Sequence, residues 1–142
     1  MGYTAAAKNV SDIKEWYCYT PVLRIADEEQ SENAGLHERI MSIVTKLCGL
    51  FGLEEEEIED RLDDDWEDYG EIILNGPVHF AGEDIPEIVE QANQLVALLN
   101  DSESAEIEFE IYALPDGEGD YDFASAAITL DGKVIVDSYC KF

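Results

Sequence analysis

The spacing of apolar residues divides this chain into helices and strands. Leu36, Ile40, Ile43, Val44, Leu47 and Leu50 recur at i, i+3, i+4 and i+7, the repeat that lines one helical face. They predict a helix over about 33–51 that stops near Gly49 or Gly52. Ile85, Ile88, Val89, Ala92, Leu95, Val96 and Leu99 form a second, cleaner stripe. It opens on a capping-box pattern, Asp84 with Glu87, has Pro86 in its first turn and ends at Asn100-Asp101-Ser102. Segment 105–113, AEIEFEIYA, alternates instead. Ile107, Phe109 and Ile111 share one side of a half-buried strand, and Glu106, Glu108 and Glu110 face solvent about 7 Å apart. Further strands are predicted over about 122–130 and 133–140, joined at Asp131-Gly132, the strongest hairpin signal in the chain.

Residues 16–26 read as one strand in which Pro21 marks an edge or a bulge. Glu71-Ile72-Ile73-Leu74 reads as a short buried strand, and Asn75-Gly76 as a tight turn into 77–82 or a link between extended segments. The predicted order is β-α-α-β(β)-α-β-β-β. This is an α+β domain spanning 1–142, two-layered, with a mainly antiparallel sheet that ends in a three-stranded meander and about three helices on one face. A hydrophobic content of 46% supports a folded domain over charge-driven disorder.

Between the helical stripes lies Glu54–Glu71, EEEEIEDRLDDDWEDYGE, where twelve of eighteen residues are carboxylates and Arg61 is the single base. Like charges at i,i+4 on a helix repel by a few tenths of a kcal/mol per pair. Ile58, Leu62 and Trp66 nevertheless recur every four residues. That spacing predicts a helix that docks by this stripe, fans its acids outward and ends by Gly70.

Net charge is −26, and its distribution carries more information than its size. Residues 1–53 hold seven acids and five bases, residues 54–122 hold twenty-five acids against Arg61, and residues 123–142 hold two of each. Such a field repels nucleic acid and acidic membranes, and it draws in basic protein surfaces by fast, salt-sensitive association. Direct nucleic-acid binding and membrane attachment are therefore not expected. Cys18, Cys48 and Cys140 are odd in number and far apart, as befits free thiols in a reducing cytosol. MGYTAAAKN has no apolar signal core, and Ala6 stands where a myristoylation signal needs Ser or Thr, so a cytoplasmic protein is expected.

The motifs for chemistry are missing. There is no nucleophile elbow, P-loop, dinucleotide glycine pattern or paired Cys/His signature, so neither an enzyme nor a cofactor is expected. Asp116, Glu118, Asp120 and Asp122 fall on alternate positions of an EF-hand count, but Tyr121 stands where glycine is required and Ala127 where a bidentate Glu belongs. His37, His79 and three scattered cysteines do not make a transition-metal site.

The acids acting together are the remaining feature. Proteins that grip nucleic acid do so with arrays of Lys and Arg, and a rigid surface of carboxylates can occupy such an array through charge-assisted contacts. The expected partner is thus the basic surface of a nucleic-acid-handling protein, a nuclease or CRISPR effector. The residues expected to bear the contacts are Glu54, Glu55, Glu56, Glu57, Glu59, Asp60, Asp63, Asp64, Asp65, Glu67, Asp68, Glu106, Glu108, Glu110, Asp116, Glu118, Asp120 and Asp122. Trp66, Tyr69 and Tyr121 are the expected aromatic anchors. In size, charge and absence of catalytic motifs the chain is similar to phage-encoded anti-restriction and anti-CRISPR proteins, a likeness of class and composition. An immunity protein against a basic nuclease toxin would use the same physics. A carboxylate-based divalent-ion or small-ligand binding protein is the alternative from another class.

Overall fold

Both apolar stripes become helices, but the expected Asp84–Glu87 capping box does not form: Asp84 makes no side-chain cap bond, Pro86 stands in the first turn, and Glu87 accepts from Gln91 Nε2 at 3.0 Å instead. The computed structural model describes residues 13–116 and 125–140. In chain order these form β1 (Glu15–Cys18), β2 (Val22–Ala26), α1 (Ala34–Leu50), α2 (Glu55–Arg61), β3 (Leu62–Asp65), α3 (Trp66–Tyr69), β4 (Glu71–Leu74), β5 (Val78–Ala81), α4 (Ile85–Leu99), β6 (Glu106–Pro115), β7 (Ser125–Asp131) and β8 (Val134–Cys140). The Asn33 side chain caps α1 by accepting the Leu36 N–H at 3.0 Å. Beyond its other end, Gly52 N–H donates to Gly49 O and Leu53 N–H to Cys48 O, the paired bonds of a Schellman stop.

The protein is α+β, and the eight strands among the described residues form an antiparallel sheet. The predicted strand 16–26 is present but broken. β1 and β2 both lie along one edge of β6, Tyr17 opposite Leu114 and Val22 opposite Glu110. Four residues, 18–21, therefore face three, 111–113, so the strand carries one extra residue at Pro21. The slip reverses the side-chain alternation: Trp16 and Cys18 are buried before it, Leu23 and Ile25 after it. The neighbouring line breaks at the same level. β4 pairs with β2 and β5 with β1, so β4 and β5 run in the same direction, and Asn75-Gly76-Pro77 links them instead of turning a hairpin. Across the sheet the order is β3, β4 with β5, β2 with β1, β6, β7 and β8. The last three form the predicted meander. Its β7–β8 turn closes with Asp131 opposite Val134, so Gly132 and Lys133 are the loop residues.

The acidic run departs most from expectation. In place of a helix over 54–71 it is three elements: a helix of about two turns, an edge strand and a single turn, which gives four α-helices among the described residues. A continuous helix would stack carboxylates at i,i+4 throughout. Division relieves that repulsion and gives several acids a partner. Glu55, Glu56 and Glu57 sit in the first turn of α2, where the helix dipole favours negative charge. Arg61 ends α2, and its carbonyl accepts the Asn75 N–H at 2.8 Å, which recruits 62–65 to the edge of β4. Ile58, Leu62 and Trp66 still pack on the core, each from a different element.

One hydrophobic cluster joins the sheet side carrying Leu23, Ile72, Phe109 and Ile128 to α1 and α4. Asn93 locks α4 to the edge strand β8, donating to Ile135 O at 3.0 Å and accepting from Ile135 N at 2.6 Å. Asp27 is the one buried carboxylate among the described residues. The Ser102 hydroxyl donates to it at 2.5 Å and the Ser104 hydroxyl donates to its other oxygen, tying the end of β2 to the link between α4 and β6. Its backbone N–H donates to Gly70 O at 2.7 Å. No helix among the described residues is long and apolar enough to cross a membrane.

Gly70 adopts φ +63°, and a Cβ there would lie 2.6 Å from Asp27 O. Gly70→Ala is therefore expected to cost about 2–3 kcal/mol in urea unfolding. Gly49→Ala, on a helical residue with nothing within 4 Å, is expected to add about 0.5 kcal/mol. Equal effects at the two positions would contradict this packing.

Cys18 and Cys48 are buried free thiols, and burial pushes Cys48 from an ordinary 9.0 to about 11. The unfolded thiol thus ionises first as pH rises, and stability falls between about pH 9 and 11. From pH 8.5 to 10.5 the wild type is expected to lose ~2 kcal/mol more unfolding free energy than Cys48→Ala. Parallel pH profiles would remove that role from Cys48.

Candidate partner-binding surface

Alternation along β6 sends Phe109, Ile111 and Ala113 into the core, and Glu106, Glu108 and Glu110 to the opposite, exposed face. Residues opposite one another in register project to the same side, so the sheet extends this row sideways. Ala26 lies opposite both Glu106 and Glu71, and Glu71 opposite Asp65. Arg24 lies opposite both Glu108 and Ile73, and Ile73 opposite Asp63. Two regions far apart in sequence thus deliver their acids to one face, with about 14 Å from the β3 row to the β6 row.

A single base sits in the middle of this field. Arg24 Nε donates to Glu71 at 2.7 Å, and its Nη1 lies 3.2 Å from Glu106 and 3.6 Å from Glu108. Glu71 is half-buried and takes the shortest bond, while Glu106 and Glu108 keep more than half their side-chain surface in solvent. The glutamate row is therefore partly neutralised by a base on its own face and still presents carboxylate oxygens to solvent.

The remaining predicted acids divide into three groups. Glu54, Glu55, Glu56, Glu57, Glu59 and Asp60 are exposed on or beside α2, and Glu67 and Asp68 are exposed on α3. Asp64 projects toward the helices, where both its oxygens meet His37 Nε2, at 3.0 and 2.8 Å. Asp63 accepts from Asn75 Nδ2 at 2.7 Å. Asp116 faces His79, 3.3 Å from Nδ1 to Oδ2. Glu118, Asp120, Tyr121 and Asp122 lie outside the described residues.

Among the expected anchors, Trp66 needs correction. It is 1% exposed, packed in the core under a parallel His37 ring 6.0 Å away, so it has no surface to offer a partner. Its burial agrees with the four-residue spacing from Ile58 and Leu62, which marks it for the core and not for a partner. Tyr69, by contrast, is 69% exposed. The structure adds aromatic residues that the acid-centred reading passes over. Tyr112 and Leu114 continue the outward positions of β6 beyond Glu110, and Tyr17, Tyr19 and His79 lie beside them. The signal for Tyr112 and Leu114 is in the sequence, since they extend the even-numbered alternation of the three glutamates. Tyr17 packs edge-on to Tyr19 at 4.5 Å and tilted on His79 at 4.4 Å. Lost solvation, then Tyr19 and Asp116, push its phenol above the usual range.

No group of three or more His, Cys, Asp or Glu side chains among the described residues is arranged to hold a metal ion. No family model, curated protein or solved structure matches the chain.

Arg24→Ala leaves Glu71, Glu106 and Glu108 facing one another. The group is partly solvent-exposed and screened, so the expected loss is only about 1 kcal/mol in low salt, shrinking at about 0.5 M NaCl. Urea unfolding at the two salt concentrations measures it, and a salt-independent loss would assign Arg24 a packing role instead.

Proposed function

We propose that this protein is an acidic inhibitor that occupies the basic nucleic-acid-binding site of a partner protein in place of the nucleic acid. The observation that supports this reading is the convergence of Glu106, Glu108, Glu110, Glu71, Asp63 and Asp65, from two distant segments, on one continuous sheet face. A merely solvated face is equally soluble with mixed charges, whereas one sign repeated over a rigid antiparallel sheet suits a fixed array of Lys and Arg. Inhibition is by competition, steric and electrostatic. The partner is a nuclease or CRISPR-type effector in the cytoplasm, and the acids of α2 and α3 flank the contact as a salt-sensitive rim.

The test is capture from host lysate at about 0.1 M salt with elution toward about 1 M, over which the Debye length falls from roughly 10 to 3 Å. A Glu106→Gln/Glu108→Gln/Glu110→Gln variant is run in parallel. The expected result is one dominant nucleic-acid-handling protein, retained by the wild type, lost by the variant and released by added oligonucleotide. A captured toxin nuclease would make this an immunity protein acting by the same competition. A partner that stays bound while holding its nucleic acid, or a smear of basic proteins shared by both baits, would overturn competitive inhibition.

A further inference from the structure

The open face of the sheet is not uniformly acidic. Along β6 its outward positions pass from Glu106, Glu108 and Glu110 to Tyr112 and Leu114, a span of about 27 Å from first to last. Six large hydrophobic side chains are exposed among the described residues, and five of them (Tyr19, Val22, Tyr112, Leu114 and Val134) lie on this face by register or ring contact. Scattered exposed apolar groups need no explanation, but their collection on one face beside a carboxylate field marks an interaction surface. Six strand lines at about 4.8 Å make the face roughly 24 Å wide and ~650 Å² in area, near the ~800 Å² that each partner contributes to a standard protein interface.

We propose that this face is the docking surface, and that it selects a partner surface bearing arginine over one bearing lysine. The inference rests on the inhibitor reading above and deepens it by naming the chemistry recognised. A guanidinium is planar, weakly hydrated, stacks on aromatic rings and forks across carboxylates, whereas an ammonium is a compact, strongly hydrated point charge. The face offers both complements side by side: exposed tyrosine rings at one end and carboxylates at the other. Arg24 shows that the carboxylate spacing accepts a guanidinium, since one group reaches Glu71, Glu106 and Glu108 together. An incoming arginine would meet their remaining oxygens and Glu110, with its neighbours stacked over Tyr112 and Tyr19.

The probes are nona-arginine and nona-lysine peptides of equal charge, titrated calorimetrically at about 0.15 M salt against three proteins. These are the wild type, Tyr19→Ala/Tyr112→Ala, which changes no charge, and Glu38→Gln/Glu90→Gln, which removes two exposed acids from α1 and α4. The wild type is expected to bind nona-arginine about fivefold or more tighter than nona-lysine, as two exposed cation–π contacts allow. The tyrosine variant should lose that preference while its melting temperature stays near wild type, and the helix variant should keep it. Tyr19→Phe/Tyr112→Phe should keep it as well, because the rings remain. Equal affinity for the two peptides, or a preference that survives loss of both tyrosines, overturns the inference and leaves the inhibitor reading standing. If neither peptide binds, both fall.

Discussion

Mutual repulsion of carboxylates is the constraint on which this architecture depends. A chain of net charge −26 compacts only if its acids are kept apart, kept wet or given a partner. The fold uses all three means. Acids 55–57 sit at the start of α2, where the helix dipole offsets them. Asp64 meets His37, Asp63 meets Asn75, and Arg24 gathers Glu71, Glu106 and Glu108. The only buried carboxylate among the described residues, Asp27, takes a serine hydroxyl on each oxygen, so its burial is accompanied by hydrogen bonds. Even the sheet edge is involved. β3 is an edge strand with three consecutive aspartates, a row that discourages another chain from pairing there.

The one-residue slip between β1 and β2, which neither β6 nor the β4–β5 line shares, decides what the open face carries. Had the strand run on without it, Trp16 and Cys18 would share a side with Val22 and Arg24, and Tyr17 would face the core. The slip instead buries the tryptophan and turns Tyr17 and Tyr19 outward beside Tyr112. Arg61 holds the matching break in the adjacent line, donating from Nε to Asn75 O at 2.9 Å and from a second nitrogen to Pro77 O. Gly76, at φ +88°, leaves the room this requires, since a Cβ there would lie 2.8 Å from the guanidinium. The only base in the acidic run therefore shapes the backbone rather than neutralising its neighbours.

How much of this was legible depended on whether one periodicity acted alone. α1, α4 and the meander carry unmixed patterns, 3.6 or 2, and stand within a few residues of where those patterns put them. The acidic run carried a four-residue spacing that fits a helix, and aspartate disfavours strands, so nothing local announced β3. Asn75, ten residues beyond its end, makes that decision. Exposure of Glu106, Glu108 and Glu110 followed from alternation. Their coupling to Arg24 did not, because contacts spanning 82 residues leave no mark on local pattern. The sequence supports two roles for Trp66, core contact by its spacing from Ile58 and Leu62 and anchor by its acidic neighbours, and only the first holds in the structure.

On the proposed reading, acids and tyrosines divide the work of recognition. Long-range charge accelerates encounter and is screened by salt, so carboxylates alone would give a fast, weak and promiscuous ligand for any basic protein. Residence time and selectivity come from contacts that are desolvated in the complex, and aromatic side chains supply such area at low entropic cost. Placing both on one antiparallel sheet fixes their relative positions, which a disordered acidic tail of equal charge does not. A folded core beneath the carboxylates is therefore a requirement of specific blocking, because only a rigid face lets the tyrosines and the acids engage the same partner at once.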